Sequence, residues 1–364
     1  MRTRLATNWV ESIQHRIGSD FDEVLLYSSN IYQVLTGRGK AASPEGETAR
    51  LRSWASFYID RSYPDSPGRF FTIPTKAPAA RVLDERAFAD GNSRLLAFPS
   101  GYRVKNPEFS EYFEQFGANR TAYLLQWCHG DKGRKTIVCC HGWSLGDPGQ
   151  ALRMFRIHKL FNLGLDVALF ITPFHWRRAQ TLAQRFSPPF PFQHPVLGLE
   201  GMGQAIHDLA ASFLLLKDQG AARTGLIGAS LGGYLAGLFV SLTDLAELAA
   251  LVVPVVDFRN LKLPTTKFAR GAESMEERTG LQQEIQSLWK IHSPLSHRCK
   301  LKPKQCLIIA SRGDRLCPFE DVKKLCEHWG SPEYTFLRGG HALFFPREAR
   351  GQAWYAFLET NRFI

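Results

Sequence analysis

The stretch Thr224-Gly225-Leu226-Ile227-Gly228-Ala229-Ser230-Leu231-Gly232-Gly233-Tyr234-Leu235-Ala236-Gly237-Leu238-Phe239-Val240-Ser241-Leu242 decides how the rest of the chain is read. Residues 224–228 form a short, largely apolar run bounded by glycine, which predicts a buried strand; 231–242 have the length and composition of a buried helix. Between them, Gly228-Ala229-Ser230-Leu231-Gly232 has the form G-x-S-x-G. Five residues of that form carry little weight alone. At a junction of strand and helix they acquire a mechanism. A sharp turn lifts Ser230 Oγ above the sheet, and the flanking glycines lack the Cβ that would collide there. The Leu231 N–H, at the helix N-terminus, can then face a developing oxyanion.

Working outward, strands are predicted at 121–127, 136–140, 166–172, 224–228, 248–256, 305–310 and 334–337. Helices are predicted over 202–213, 231–242, 318–329 and 348–359. Strands alternating with helices, several of them almost continuously apolar, indicate an α/β fold: a mostly parallel central sheet flanked by helices. Two segments interrupt the alternation, 174–199 and 258–298, and both are expected to be lid insertions. The organisation expected is an N-terminal extension over 1–120, partly helical and packed on the core, followed by one domain over 121–364. Within the extension, helical spacing is read around 8–17 and 21–32, a loop at 37–46, and strand character at 70–74 and 95–98.

A serine so presented needs a base and an orienting acid. Gly339-Gly340-His341 follows the last strand, and Ser311-Arg312-Gly313-Asp314 follows the strand before it. Both sit at strand carboxyl ends, on the edge where open α/β sheets bind ligands. The chain order is Ser230, Asp314, His341. Asp257, after the strand at 248–256, is the alternative acid. His141-Gly142-Trp143 follows an early strand, so the Trp143 N–H is the candidate second oxyanion donor beside that of Leu231. His141 itself reads as a structural histidine. His175, Arg177 and Arg178, after the strand at 166–172, are candidates for substrate binding.

With these pieces in order, the chain resembles a serine hydrolase of the α/β-hydrolase superfamily, esterase- or lipase-like, over residues 121–364. The resemblance implies Ser230 as nucleophile, His341 as base, Asp314 as orienting acid, and Trp143 and Leu231 as oxyanion donors. Pro173-Phe174-His175-Trp176-Arg177-Arg178 also resembles a Pro-x-His-x-x-Arg segment of some esterase-like and dienelactone-hydrolase-like members. The activity implied is cleavage of a small or medium, fairly apolar carboxylic ester through an acyl-enzyme. A thioesterase, an acyltransferase or an oligopeptidase would use the same residues, and a binding protein retaining the fold is the alternative of another class.

Composition bounds the rest. The chain has 364 residues, 44% hydrophobic and 22% charged, an ordinary globular balance. Its longest apolar run, Leu248 to Val256, falls well short of the ~20 residues a membrane span needs. Seven cysteines without a C-x-x-C pair argue against a disulfide framework or zinc site, and together with the absence of a secretory signal they set a cytoplasmic expectation. No P-loop, H-E-x-x-H or EF-hand pattern occurs, so neither cofactor nor metal is expected. The net charge is +11, yet residues 1–70 hold nine Lys/Arg against eight Asp/Glu. There is thus no basic tail, and no nucleic-acid partner is expected. The charge suits an anionic substrate group or peripheral contact with a membrane surface. Nothing in the sequence specifies an oligomeric state.

Overall fold

The structure is a computed structural model that describes residues 14, 16–22, 47–192, 194–260, 275–346 and 348–364. Of the helices and loop expected within 1–46, only 14 and 16–22 fall inside that range, and they are helical. Residues 261–274, the middle of the second expected insertion, also lie outside it.

Ten strands form one sheet. They are β1 (Arg81–Phe88), β2 (Gly91–Pro99), β3 (Thr121–Cys128), β4 (Lys135–Cys140), β5 (Asp166–Phe170), β6 (Arg223–Ala229), β7 (Leu248–Val252), β8 (Cys306–Ser311), β9 (Glu333–Gly339) and β10 (Phe344–Phe345). Their order is β1-β2-β3-β5-β4-β6-β7-β8-β9-β10. β5 through β9 are mutually parallel, whereas β1, β2 and β3 add antiparallel at one edge and β10 at the other.

The parallel strands read as continuous apolar runs because both faces are covered. Along β8, Cys306, Ile308 and Ala310 face one hydrophobic cluster while Leu307 and Ile309 face the other. β7 divides in the same way, Ala249 and Leu251 against Leu248, Ala250 and Val252. This is the period of two that a strand imposes on its side chains. The first cluster holds helices Pro195–Asp218, Leu231–Leu242, Met275–His292 and Phe319–His328; the second holds Pro148–Met154, Ile157–Asn162 and Ala349–Thr360. Cys139 and Cys140 divide between the clusters, and all seven cysteines are free thiols.

The N-terminal stretch contributes two strands of this sheet. β2 pairs with β3 from Asn92↔Cys128 to Pro99↔Thr121, so the sheet runs straight across the boundary expected at residue 121. β1 is exposed along nearly its whole length, with apolar and charged residues on neither face in alternation, which is why no strand signal was legible there. The strand character read at 70–74 is instead the end of a single 3₁₀ turn, Pro67–Phe70, and the extended chain after it. Within the expected 174–199 insertion lie the short helix Leu182–Phe186 and the start of helix Pro195–Asp218. Among the described residues no helix is long and apolar enough to cross a membrane.

Candidate active site

Ser230 stands between β6 and helix Leu231–Leu242 with φ 56° and ψ −115°, a conformation that L-residues rarely adopt. The surroundings hold it there. Its N–H donates to the Val252 carbonyl on β7 at 2.9 Å, and its own carbonyl accepts the Tyr234 N–H at 3.0 Å, opening the helix. The two glycines of the motif are sterically obligatory: a Cβ on Gly228 would lie 1.9 Å from the Gly232 oxygen, and one on Gly232 would lie 1.9 Å from the Cys140 oxygen. The helix thereby packs directly against the end of β4.

His341 follows β9 and Asp314 follows β8. The loops that carry them are joined to each other, because the Gly313 N–H and the Ser311 hydroxyl both donate to the Gly339 carbonyl at 2.8 Å. The structure brings three side chains into one line. His341 Nε2 lies 3.0 Å from Ser230 Oγ, and His341 Nδ1 lies 2.7 Å from Asp314 Oδ2. The other oxygen of Asp314 accepts the Leu316 and Cys317 N–H groups at 3.0 and 2.7 Å, which fixes the carboxylate plane. The alternative acid, Asp257, is elsewhere: both of its oxygens accept from the Arg259 guanidinium.

Burial alone would lower the pKa of His341, but the adjacent Asp314 carboxylate and the Cys317 side chain together outweigh it and hold the pKa well above the ordinary histidine value. Cys317 Sγ, His341 and Asp314 offer ligand atoms all within 4.8 Å of one another, a donor set that a borderline metal could use. Both Asp314 oxygens are already committed to orienting the imidazole and to the loop backbone. Burial pushes the Cys317 thiol up, so it is a poor nucleophile beside Ser230.

The His141-Gly142-Trp143 turn abuts the serine: a Cβ on Gly142 would be 3.4 Å from Ser230 Cβ. His141 is buried and neutral, its pKa lowered to about 4 by desolvation. Its Nε2 accepts the Thr172 N–H at 3.2 Å, which leaves Nδ1 to donate to the Gly142 carbonyl at 2.8 Å. One imidazole thus ties the turn after β4 to the end of β5. Leu231 begins the helix, where N–H groups have no intrahelical acceptor. Trp143 Nε1 donates to the Phe190 carbonyl at 3.1 Å, and its ring starts an aromatic wall continued by Phe192, Phe258 and Tyr234.

The three candidates after β5 have different surroundings. Arg178 is fully buried and bonds Asp208 at 2.7 Å and the Asn119 carbonyl at 3.0 Å. His175 is buried, its Nδ1 2.8 Å from the Pro173 carbonyl. Arg177 is exposed, its guanidinium 5.1 Å from the centre of the Trp176 ring.

One residue at this site was missed by sequence reasoning. Asp22, in the helical segment 16–22, is fully buried, and its two oxygens accept the His341 N–H at 2.9 and 2.7 Å. Desolvation raises its pKa while the backbone N–H groups of His341 and Arg315 oppose that shift. With 319 positions between partners, no local pattern could have signalled the contact.

Comparison with known proteins adds three findings. Residues 202–329 match the model of the prolyl oligopeptidase family (Peptidase_S9). Two proteins of Mycobacterium tuberculosis, "Uncharacterized protein MT2702" of strain CDC 1551 / Oshkosh and "Uncharacterized protein Rv2627c" of strain ATCC 25618 / H37Rv, are each 31% identical over 298 residues, covering 79% of this chain and 69% of theirs. Among solved structures, the acetyl xylan esterase from Paenibacillus sp. R4 superposes with a TM-score of 0.57 at 13% identity, over 84% of this chain and 94% of that one. Acetyl xylan esterase 1 from Thermoanaerobacterium sp. JW/SL YS485 gives 0.56 at 14%, over 82% and 92%.

Proposed function

This chain belongs to the family of those two Mycobacterium tuberculosis proteins, within the α/β-hydrolase superfamily of serine hydrolases, and on that premise we propose that it cleaves a carboxylic ester through an acyl-enzyme on Ser230. The observation that carries this reading is the line Ser230 Oγ–His341 Nε2–Asp314 Oδ2, with contacts of 3.0 and 2.7 Å. His341 takes the Ser230 proton as Oγ attacks the carbonyl carbon. Asp314 keeps Nδ1 protonated, so Nε2 is the basic nitrogen, and it stabilises the imidazolium once formed. The Trp143 and Leu231 N–H groups receive the oxyanion. His341 then protonates the leaving alcohol and activates the water that releases the acid.

The half-buried rings of Trp143 and Phe192, the first on the turn that abuts Ser230, favour an apolar acyl group. Of the three candidates after β5, exposed Arg177 is the one proposed to meet an anionic substrate group, and the same charge would suit a membrane surface. The reaction as proposed draws on no cofactor. Free cysteines suit a reducing, cytoplasmic setting.

The second reading, an oligopeptidase, is favoured by the match of residues 202–329 to the prolyl oligopeptidase family. Both readings predict covalent labelling by a fluorophosphonate probe, abolished by Ser230→Ala; a folded protein that does not label refutes both. Hydrolysis of p-nitrophenyl esters of increasing chain length, compared with matching p-nitroanilides, separates them. Turnover of the anilides at rates comparable to the esters would favour the peptidase.

A further inference from the structure

The segment 16–22 touches the site through three residues, Gly18, Ser19 and Asp22. Asp22 accepts the His341 N–H on both oxygens, the Arg315 N–H at 3.1 Å and the Ala342 N–H at 3.5 Å. The Ser19 hydroxyl donates to the Gly313 carbonyl at 2.8 Å. Gly18 packs on Gly340 so closely that a Cβ on Gly18 would lie 2.2 Å from the Gly340 nitrogen, and one on Gly340 would lie 2.6 Å from Asp22 Oδ2.

One carboxylate therefore spans two loops, the acid loop after β8 and the base loop after β9. Burying a carboxylate is costly unless hydrogen bonds compensate it, and among the described residues the donors to Asp22 are backbone N–H groups of the loops that carry Asp314 and His341. An apolar side chain could fill the same space without that cost. What the carboxylate adds is a fixed distance between the two loops, and hence between the imidazole, its acid and the serine.

We propose that Asp22 is a positioning residue for the reaction at Ser230, a fourth polar group supplied from the N-terminal segment that holds the His341 and Asp314 loops in register. The proposal rests on the reading of Ser230, His341 and Asp314 given above. Asp22 does not touch substrate; it acts through the backbone of His341. A displacement of about 1 Å in a reacting group can cost on the order of 100-fold in rate, so a loosened loop is expected to lower kcat and leave KM nearly unchanged.

The test uses the full chain with two variants. Asp22→Asn keeps the shape but removes the charge and turns one acceptor into a donor facing an N–H. Gly18→Ala leaves Asp22 intact and pushes the segment off Gly340. Readouts are cooperative thermal unfolding, kcat and KM on a p-nitrophenyl ester, the fluorophosphonate labelling rate, and the low-field proton resonance of the His341 Nδ1–H bonded to Asp314. The result expected in both variants is a folded protein, kcat and labelling rate reduced about 10- to 100-fold, KM within about twofold of the parent, and a weakened low-field resonance. Wild-type kcat, labelling rate and resonance in either folded variant overturn the proposal. So does a loss that appears in KM, or loss of cooperative unfolding in both variants, since either marks a purely structural role. A parent protein that fails to label refutes the function reading itself and is recognisable before any variant is made.

Discussion

Ser230 holds a backbone conformation that L-residues rarely adopt, and the carboxylate that reaches its neighbour His341 lies on a different loop from Asp257. Asp314 reaches His341 Nδ1 at 2.7 Å while Asp257 is occupied by Arg259. Asp314→Asn is accordingly expected to reduce kcat about 10⁴-fold, by analogy with serine-protease triads, and Asp257→Asn to leave it within a few-fold. Steady-state kinetics on a p-nitrophenyl ester distinguish the two. The pH profile follows from the same contact. A base works only when neutral, and Asp314 holds the His341 pKa well above the ordinary 6.5. The kcat/KM value should therefore rise with pH through a limb above 6.5, and in Asp314→Asn the residual activity should follow a limb shifted to lower pH. A limb at or below 6.5 in the parent protein would contradict this assignment.

At the scale of single elements, the junction of β6 with helix Leu231–Leu242 has almost no free volume. Gly228→Ala and Gly232→Ala each place a Cβ 1.9 Å from a backbone oxygen, that of Gly232 or of Cys140. Overpacking of this kind costs about 1–3 kcal/mol or more. Chemical denaturation should show that loss, with labelling at Ser230 falling together with stability. The strands around this junction were legible because they are buried on both faces and so read as continuous apolar runs. The edge hairpin β1–β2 was only partly so. Leu95 to Phe98 are buried and carry a signal, while β1 has no buried face to pattern. Its place in the sheet is decided by pairing with β2, a contact that composition does not encode.

Over the whole molecule, buried charges fasten the N-terminal part to the hydrolase core. Glu200, on helix Pro195–Asp218, accepts from the hydroxyls of Tyr58 and Tyr102 and from the N–H groups of Lys105 and Asn106. Asp208, about two turns further along that helix, accepts from Arg178 and from the Ser100 hydroxyl, both at 2.7 Å. Removing one partner of a buried pair leaves an uncompensated charge, so Asp208→Ala should cost about 3–5 kcal/mol, measurable by denaturant unfolding. A chain beginning at Thr121 would lose the β2 partner of β3 and all four donors to Glu200. It is expected not to fold cooperatively, and a soluble truncation with a sharp unfolding transition would contradict this.

What the sequence determined by itself is whatever is written within a dozen residues: the strand–turn–helix around Ser230, the apolar runs of the parallel strands, and the loops ending at His341 and Asp314. Local sterics and unbroken apolar runs suffice for these. Only the tertiary structure decided that Asp314 rather than Asp257 faces His341, that Arg178 is sealed in an ion pair, that the sheet extends through residues 81–99, and that Asp22 clamps a loop 319 positions away. Those outcomes depend on which strands pair and which charged groups must find partners once they are buried. That is a property of how the layers close on one another, and no local stretch of chain contains it.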